Sequence, residues 1–338
     1  MKTNEQTTNQ KDASPATNLG QHAICIIGMH RSGTSMIAQL LHQLGLYLGP
    51  DNQLLGATSA NTDGHFEHKG FLKINRALLE YFQGSWESPP QWKAGWQTDT
   101  ALEPLRGDAR VLIAELSARS PWGWKEPRTT VLLPFWKSLV PGLRFMICVR
   151  SPLDVAKSLA KRNGMPVEQG MFVWHRYTRA ALEDSEGSPR LIVHYEDFFI
   201  DPATTIERLA RFCGLQKPAN ISLVESGIRP ELRHQRSALA EILSLQSVPA
   251  EHKFLYLGLR GLAREERAEG DLAEAIRELL KLLDDLHNHD RLARLEAELA
   301  EARNEAFKLR ADMLKDLRAN HRWAYRMYRN FIKPFRVR

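Results

Sequence analysis

From residue 22 to about 235 the chain alternates short, wholly apolar runs with longer stretches in which apolar side chains return every three or four positions. The short runs lie near Ile24–Gly28, Gly123–Lys125, Phe145–Arg150 and Leu191–His194 and read as strands. Helical periodicity fills Ser32–Leu44, Phe71–Phe82, Leu102–Ala118, Val131–Leu139, Leu153–Lys161, Met171–Glu186 and Thr204–Cys213. Strand and helix in turn predict an α/β domain whose central parallel sheet is covered on both faces. Ligands of such sheets sit at the carboxyl ends of the strands, and Arg31, Lys125 and Arg150 all fall at or just past such ends. Between elements, Gly84–Gly95, with Trp86, Pro89, Pro90 and Trp92, and Trp96 just beyond, is a long irregular loop, suited either to a substrate wall or to an aromatic-stapled surface.

Past Pro249 the pattern changes. Leu272, Ile276, Leu279, Leu283 and Leu286 follow a 4-3-4-3 spacing, and Leu295, Leu299, Ala302, Ala306, Leu309 and Met313 resume it in a shifted frame after His287–Asp290. The second run reads as a short coiled coil, with self-association through 292–317, or as a long helix packed on its own domain. The expected organisation is a disordered segment 1–21, an α/β domain 22–250, a helical extension 251–318 and a tail 319–338.

Composition adds limits. The hydrophobic share of 43% and charged share of 25% suit a globular chain with a sizeable core. No apolar run approaches the ~20 residues that cross a bilayer, and Met1–Gly20 is polar and unlike a secretory signal, so a cytoplasmic location is expected. Cys25, Cys148 and Cys213 sit in apolar runs and read as buried free thiols. His65 and His68 lack a further ligand cluster, so no metal is expected. The net charge of +6 calls for a polyanionic ligand, and no nucleic-acid recognition motif accompanies it. Much of the excess lies in 321–338, where Arg322, Arg326, Arg329, Lys333, Arg336 and Arg338 alternate with Trp323, Tyr325, Tyr328, Phe331 and Phe335. That alternation suits peripheral contact with an anionic membrane, binding of a polyanionic acceptor or another protein, or a solvated terminus.

The stretch Ile24-Cys25-Ile26-Ile27-Gly28-Met29-His30-Arg31-Ser32-Gly33-Thr34-Ser35 carries the chemistry. A strand, a glycine-bounded loop and a helix start form a cradle in which backbone N–H groups and the helix N-terminus face an anion. Against the Walker pattern the lysine position holds Thr34, and the strong cation is Arg31, inside the loop. A second motif runs Arg144-Phe145-Met146-Ile147-Cys148-Val149-Arg150, then Ser151 and Pro152 open a helix with Ser158 about two turns along. A third runs Leu191-Ile192-Val193-His194-Tyr195-Glu196-Asp197, followed by Pro202 and Phe212-Cys213-Gly214-Leu215.

In this order, over roughly residues 22 to 235, the three resemble the sulfotransferase family that uses 3′-phosphoadenosine-5′-phosphosulfate, in its bacterial HRSGTS form. The resemblance implies a P-loop-like three-layer domain with no metal requirement. It implies that His30, Arg31, Ser32, Gly33, Thr34 and Ser35 hold the 5′-phosphosulfate end, and that Arg150 and Ser158 hold the 3′-phosphate. Lys125 matches a lysine that contacts the sulfonate. Arg31 would stabilise the departing phosphate. Glu67 matches the glutamate base of carbohydrate and tyrosine sulfotransferases, whereas Glu126 stands near the place of a histidine base used by small-molecule sulfotransferases. Arg128 and the 229–234 stretch, Arg233 above all, are expected to close over the donor, bind an anionic acceptor or make surface ion pairs. The expected acceptor is a hydroxyl or amine on a glycan, such as a surface polysaccharide or its lipid-linked precursor. Two rivals remain: a P-loop nucleotide kinase or NTPase, opposed by the missing Walker lysine, and a non-catalytic coiled-coil binding module, opposed by the Arg150/Ser158 pair.

Overall fold

In the computed structural model, residues 23–58, 64–216, 224–229, 237, 239–246, 248–264 and 269–320 are described. Four strands, β1 (Ala23–Gly28), β2 (Trp122–Lys125), β3 (Arg144–Val149) and β4 (Arg190–His194), form a parallel sheet in the order β2-β1-β3-β4. This is the expected α/β architecture, and the strands fall within a residue of the positions that the apolar runs marked. Chain order reverses at β1, which lies between β2 and β3, so a crevice is expected where the ends of β1 and β3 diverge.

Both faces are buried because the side-chain period of two sends alternate residues to opposite layers. Ile24 and Ile26 of β1, Met146 and Cys148 of β3 and Val193 of β4 pack with Ile37, Leu40 and Leu41 of helix α1 (Thr34–Gln43) and with Ile206, Leu209 and Cys213 of α7 (Pro202–Cys213). The Trp124 side chain of β2 stacks on Phe71 of α2 (Lys69–Tyr81) at 4.5 Å, and Trp136 of α4 (Leu133–Leu139) closes on both. The expected helix over Val131–Leu139 is divided: Pro127–Val131 forms a tighter 3-10 turn before α4. Helix α3 (Glu103–Ser117) packs beside α2, and α5 (Pro152–Asn163) beside α6 (Val167–Asp184). All three cysteines are free and buried.

Helix ends follow from sequence. Ser151 caps α5 by accepting from the Asp154 N–H at 3.3 Å, Pro152 fills the first turn, and Gly164 terminates it in the left-handed conformation. Asp201, Pro202 and Gly214 do the same for α7.

A short helix, α8 (Leu239–Ser244), precedes α9 (Ala250–Arg264), which lies against β4. The chain divides into two compact units, 1–280 and 281–338. Helix α10 (Glu269–Asn320) passes through His287–Asp290 without a break. Its first heptad run begins against α9, where a Cβ on Gly258 would crowd the Leu279 side chain. In the second run Leu309 is 71% exposed. No helix among the described residues is long and apolar enough to cross a membrane. The tail 321–338 lies outside the described residues.

Candidate active site

The loop after β1 opens at Gly28, whose φ of +143° suits glycine and where a Cβ would overlap the Cys148 carbonyl oxygen. Thr130 pins the same residue, accepting from the Gly28 N–H at 3.0 Å and donating to its carbonyl at 3.2 Å. Two positions of the loop are left-handed. Gly33 (φ +89°) lets the chain pass over the Tyr195 ring, where any side chain would collide. Arg31 (φ +71°) has no such excuse: a non-glycine residue in this region costs on the order of 1 kcal/mol and is held there by its surroundings. Helix α1 then starts with no side-chain cap, which leaves its first amides directed at the loop.

The second motif converges on the first. The Arg31 Nε donates to Ser158 Oγ at 2.9 Å, and Arg150 Nη1 donates to the Arg31 carbonyl at 3.2 Å. Arg150 is 7% exposed, lies over the Tyr195 ring at 4.4 Å and stands 3.8 Å from the Asp154 carboxylate. Trp174 Nε1 donates to its carbonyl at 3.1 Å, which fixes the end of β3. Burial, with the charges of Arg162 and Arg150, pushes the Arg31 pKa down to about 10. It remains a cation at neutral pH, crowded by others, as a site built to receive an anion should be.

The two candidate bases occupy different settings. Lys125 Nζ donates to Glu67 Oε1 at 2.8 Å and to Ser35 Oγ at 3.1 Å, so Glu67, Lys125 and the start of α1 form one connected group. Burial acts to raise the Glu67 pKa, but the Lys125 ammonium and its hydrogen bond outweigh it and hold the carboxyl below its ordinary range. Glu126 is fully buried. Its Oε1 accepts from Arg128 Nη1 and its Oε2 from Asn75 Nδ2 at 2.5 Å, while Asn75 Oδ1 accepts from Trp136 Nε1 at 2.8 Å. Burial raises its pKa against the opposing Arg128 charge. Both carboxylate oxygens are thus committed to internal partners.

His30 and the irregular loop form an aromatic side. The His30 ring lies 4.6 Å from that of Trp86 and 6.3 Å from that of Tyr177. Burial, then the charges of Arg128, Arg162, Lys125 and Arg31, hold the His30 pKa well below normal, so the imidazole is neutral. Its Nε2 and the Ser32 hydroxyl are buried without a hydrogen-bond partner among the described residues. The loop is fastened by α6: Arg176 donates through Nη1 to the Pro89 carbonyl and through Nη2 to that of Pro90, at 2.8 and 2.9 Å, and Tyr177 donates to that of Trp86 at 3.2 Å. Trp92 instead stacks on Trp96 at 4.3 Å, an internal staple.

The fold therefore brings together His30, Arg31, Ser32, Gly33, Thr34, Ser35, Glu67, Lys125, Arg150 and Ser158, from segments far apart in sequence. Glu126 lies adjacent but behind, and Arg233 falls outside the described residues. Arg162 and Tyr195 were missed as site residues. Arg162 is one helical turn beyond Ser158 and could have been found from that spacing; the role of Tyr195 beneath Gly33 and Arg150 has no local sequence signal. His68 caps α2 by accepting from the Gly70 N–H, and His65 Nε2 bonds Thr58 Oγ1, so each is engaged separately. Away from the cleft, His175, Glu251 and His252 place potential ligand atoms within 4.8 Å of one another, with the His252 pKa pushed down to about 4 by burial.

A glycine-bounded loop after β1, the arginine at the end of β3 and a serine of α5 thus meet in one cationic cluster. Residues 23–219 match the sulfotransferase family, and the chain belongs to it. A putative protein-tyrosine sulfotransferase of Caenorhabditis briggsae is 30% identical over 146 residues, 37% of this chain and 52% of that one. The chain thus spans about half the length of that relative. Among solved structures, the sulfotransferase STF1 of Mycobacterium tuberculosis H37Rv aligns over 63% of this chain and 75% of its own at 13% identity and a TM-score of 0.41. The sulfotransferase domain of the Synechococcus PCC 7002 olefin synthase aligns over 73% and 95% at 16% identity and a TM-score of 0.39. Family membership rests on the sequence match.

Proposed function

We propose that the protein transfers a sulfuryl group from 3′-phosphoadenosine-5′-phosphosulfate to an acceptor hydroxyl, on a P-loop-like α/β domain. The observation that carries this reading is the Arg31–Ser158 contact, which joins the loop expected to hold the donor's 5′ end to the helix expected to hold its 3′-phosphate. In the reaction the acceptor oxygen forms a bond to sulfur, and the bond from sulfur to the bridging phosphate oxygen breaks. The electron pair goes to that oxygen, and the acceptor proton goes to Glu67. Arg31 and Lys125 supply fixed positive charge where negative charge grows. Arginine cannot readily give up a proton, so Arg31 acts by charge and hydrogen bonding. Lys125 carries three donors, which suffice for Glu67, Ser35 and a donor oxygen together. Glu67 is ionised at neutral pH and can accept a proton, whereas both oxygens of Glu126 are already engaged. His30 Nε2 and the Ser32 hydroxyl are the buried polar groups that a bound donor would satisfy.

The acceptor is a glycan under this reading, with the α10 helix as a self-association element and the 321–338 tail as a peripheral contact with an anionic membrane face. Co-sedimentation of the full chain and Met1–Asn320 with anionic liposomes checks the tail: binding must be salt-sensitive and lost on truncation. The core reading is tested by nucleotide-dependent melting. A ligand at a hundred times its Kd adds roughly 2.7 kcal/mol. The product 3′-phosphoadenosine 5′-phosphate should raise the melting temperature without Mg²⁺, and ATP should not; the reverse order of response would return the kinase reading.

A further inference from the structure

Trp86 and Arg162 stand beside the reacting groups and have no part in the scheme above. Arg162 lies four residues past Ser158 on α5, hence on the same helical face, and its guanidinium sits over the Trp86 ring at 5.6 Å. Its Nε donates to Asn163 Oδ1 at 2.6 Å, a neighbour with no charge. Three other cations of the cleft have carboxylates close by: Lys125 has Glu67, Arg128 has Glu126 and Arg150 has Asp154, while Arg31 is bonded to Ser158. No carboxylate among the described residues lies within ion-pair distance of Arg162. Burial lowers its pKa, with Arg128 adding to the effect and Glu67 and Glu87 opposing it. A partly buried guanidinium among other cations is most stable when an anion joins it. The donor's two charged ends already have Arg31 and Arg150.

The wall beside Arg162 limits what that anion belongs to. Peptide capture by strand addition needs free main-chain donors and acceptors. Here the carbonyls of Trp86, Pro89 and Pro90 are taken by Tyr177 and Arg176, Ser85 N–H donates to the Ser88 carbonyl, and Ser88 N–H donates to Ser85 Oγ. The prolines have no N–H at all. The loop presents an aromatic ring and a fork-shaped cation, which suits a pyranose with an apolar C–H face and a carboxylate at its edge.

We propose that Trp86 and Arg162 form the acceptor subsite, and that the acceptor is a glycan residue of the uronic acid class, its ring on Trp86 and its carboxylate on Arg162. This rests on the cleft being a sulfuryl-transfer site. The test uses a matched pair, 4-nitrophenyl β-glucuronide and 4-nitrophenyl β-glucoside, titrated calorimetrically into the full chain loaded with 3′-phosphoadenosine 5′-phosphate. The glucuronide should bind about tenfold tighter or more, the difference expected for one charge-assisted pair. Arg162→Ala should abolish the difference in a protein that still binds the nucleotide, Arg162→Gln should do the same should the alanine variant fail to fold, and Trp86→Ala should weaken both glycosides alike. Equal binding or no binding of the pair by the wild-type protein, or a preference that survives both Arg162 variants, overturns the proposal. So does Arg162-dependent binding of an acidic tyrosyl peptide tighter than that of the glucuronide, which would make the acceptor a protein. Failure of the wild-type protein to bind the nucleotide would instead defeat the sulfuryl-transfer reading itself.

Discussion

Arg31 and Ser158 are 127 residues apart in sequence, and the guanidinium Nε of one donates to the hydroxyl of the other at 2.9 Å. The contact requires Arg31 to hold a left-handed backbone, with its carbonyl accepting from Arg150. Backbone and side chain of one residue are thus fixed by the two residues expected to read the far end of the donor. Removing a single preorganised donor of this kind typically lowers kcat by ~10²–10³. Arg31→Ala should fold and lose that much turnover, while Arg31→Lys, keeping the charge without the fork, should retain part of it. A folded Arg31→Ala enzyme with full steady-state activity would remove Arg31 from the mechanism.

Arg150 makes the complementary prediction. It lies over the Tyr195 ring at 4.4 Å with the Asp154 carboxylate 3.8 Å away, contacts within the protein that hold it in place. Losing a charge-assisted hydrogen bond costs about 1.5–3 kcal/mol, or roughly 10- to 150-fold in affinity. Arg150→Ala should weaken 3′-phosphoadenosine 5′-phosphate by that factor and leave the analogue without a 3′-phosphate nearly unchanged. Equal losses for the two nucleotides in a titration would reassign the residue to a structural role.

Much of this geometry was legible beforehand, because uninterrupted apolar runs such as Ile24–Ile27 can be satisfied only in a doubly covered sheet, and the strand ends then place Arg31, Lys125 and Arg150 together. What the sequence hid is long-range. Nothing near Glu67 announces that Lys125 will pair with it, and nothing near Glu126 shows that Asn75, 51 residues away, will occupy one of its oxygens. The left-handed turn at Arg31 is likewise invisible locally, since arginine has no preference for it and the fold imposes it. The contact of Arg162 with Trp86 is hidden for the same reason, since Trp86 arrives from another segment.

The settings of the two glutamates predict opposite phenotypes. Glu67→Gln removes the proton acceptor and should lower kcat by about 10²–10⁴, with nucleotide affinity retained. Because the Glu67 pKa is depressed, the wild-type rate should stay flat through neutral pH and fall only below the ordinary carboxylate range. The same depression contributes stability that is present above the unfolded pKa and lost as pH falls through the folded one. Glu126→Gln leaves Arg128 buried without a charged partner. Breaking such pairs costs up to about 3–5 kcal/mol, so the urea midpoint should drop while kcat per folded molecule changes little. Stable, inactive Glu126→Gln beside active Glu67→Gln would exchange the roles.

Asp184 ends α6, where the helix dipole already disfavours negative charge. Lys137 Nζ is close, but donates to the main-chain carbonyls of Asp184 and Glu186 at 2.8 Å each. Burial, with the neighbouring Glu183 charge, raises the Asp184 pKa from 3.8 to about 6 against the opposing Lys137. The sign follows directly: the folded protein binds this proton more tightly than the unfolded chain, so ionising the group destabilises the fold progressively from about pH 4 to 6 and by a constant amount above. A two-unit shift corresponds to about 3 kcal/mol, and partial exposure of the side chain brings the expectation to ~1–3 kcal/mol. Asp184→Asn removes that cost. Thermal melts should show the variant several degrees more stable than wild type at pH 8 and indistinguishable at pH 4. A gain of the same size at both pH values would mean that the substitution acts through helix packing, and that the buried carboxylate is not the source of the strain.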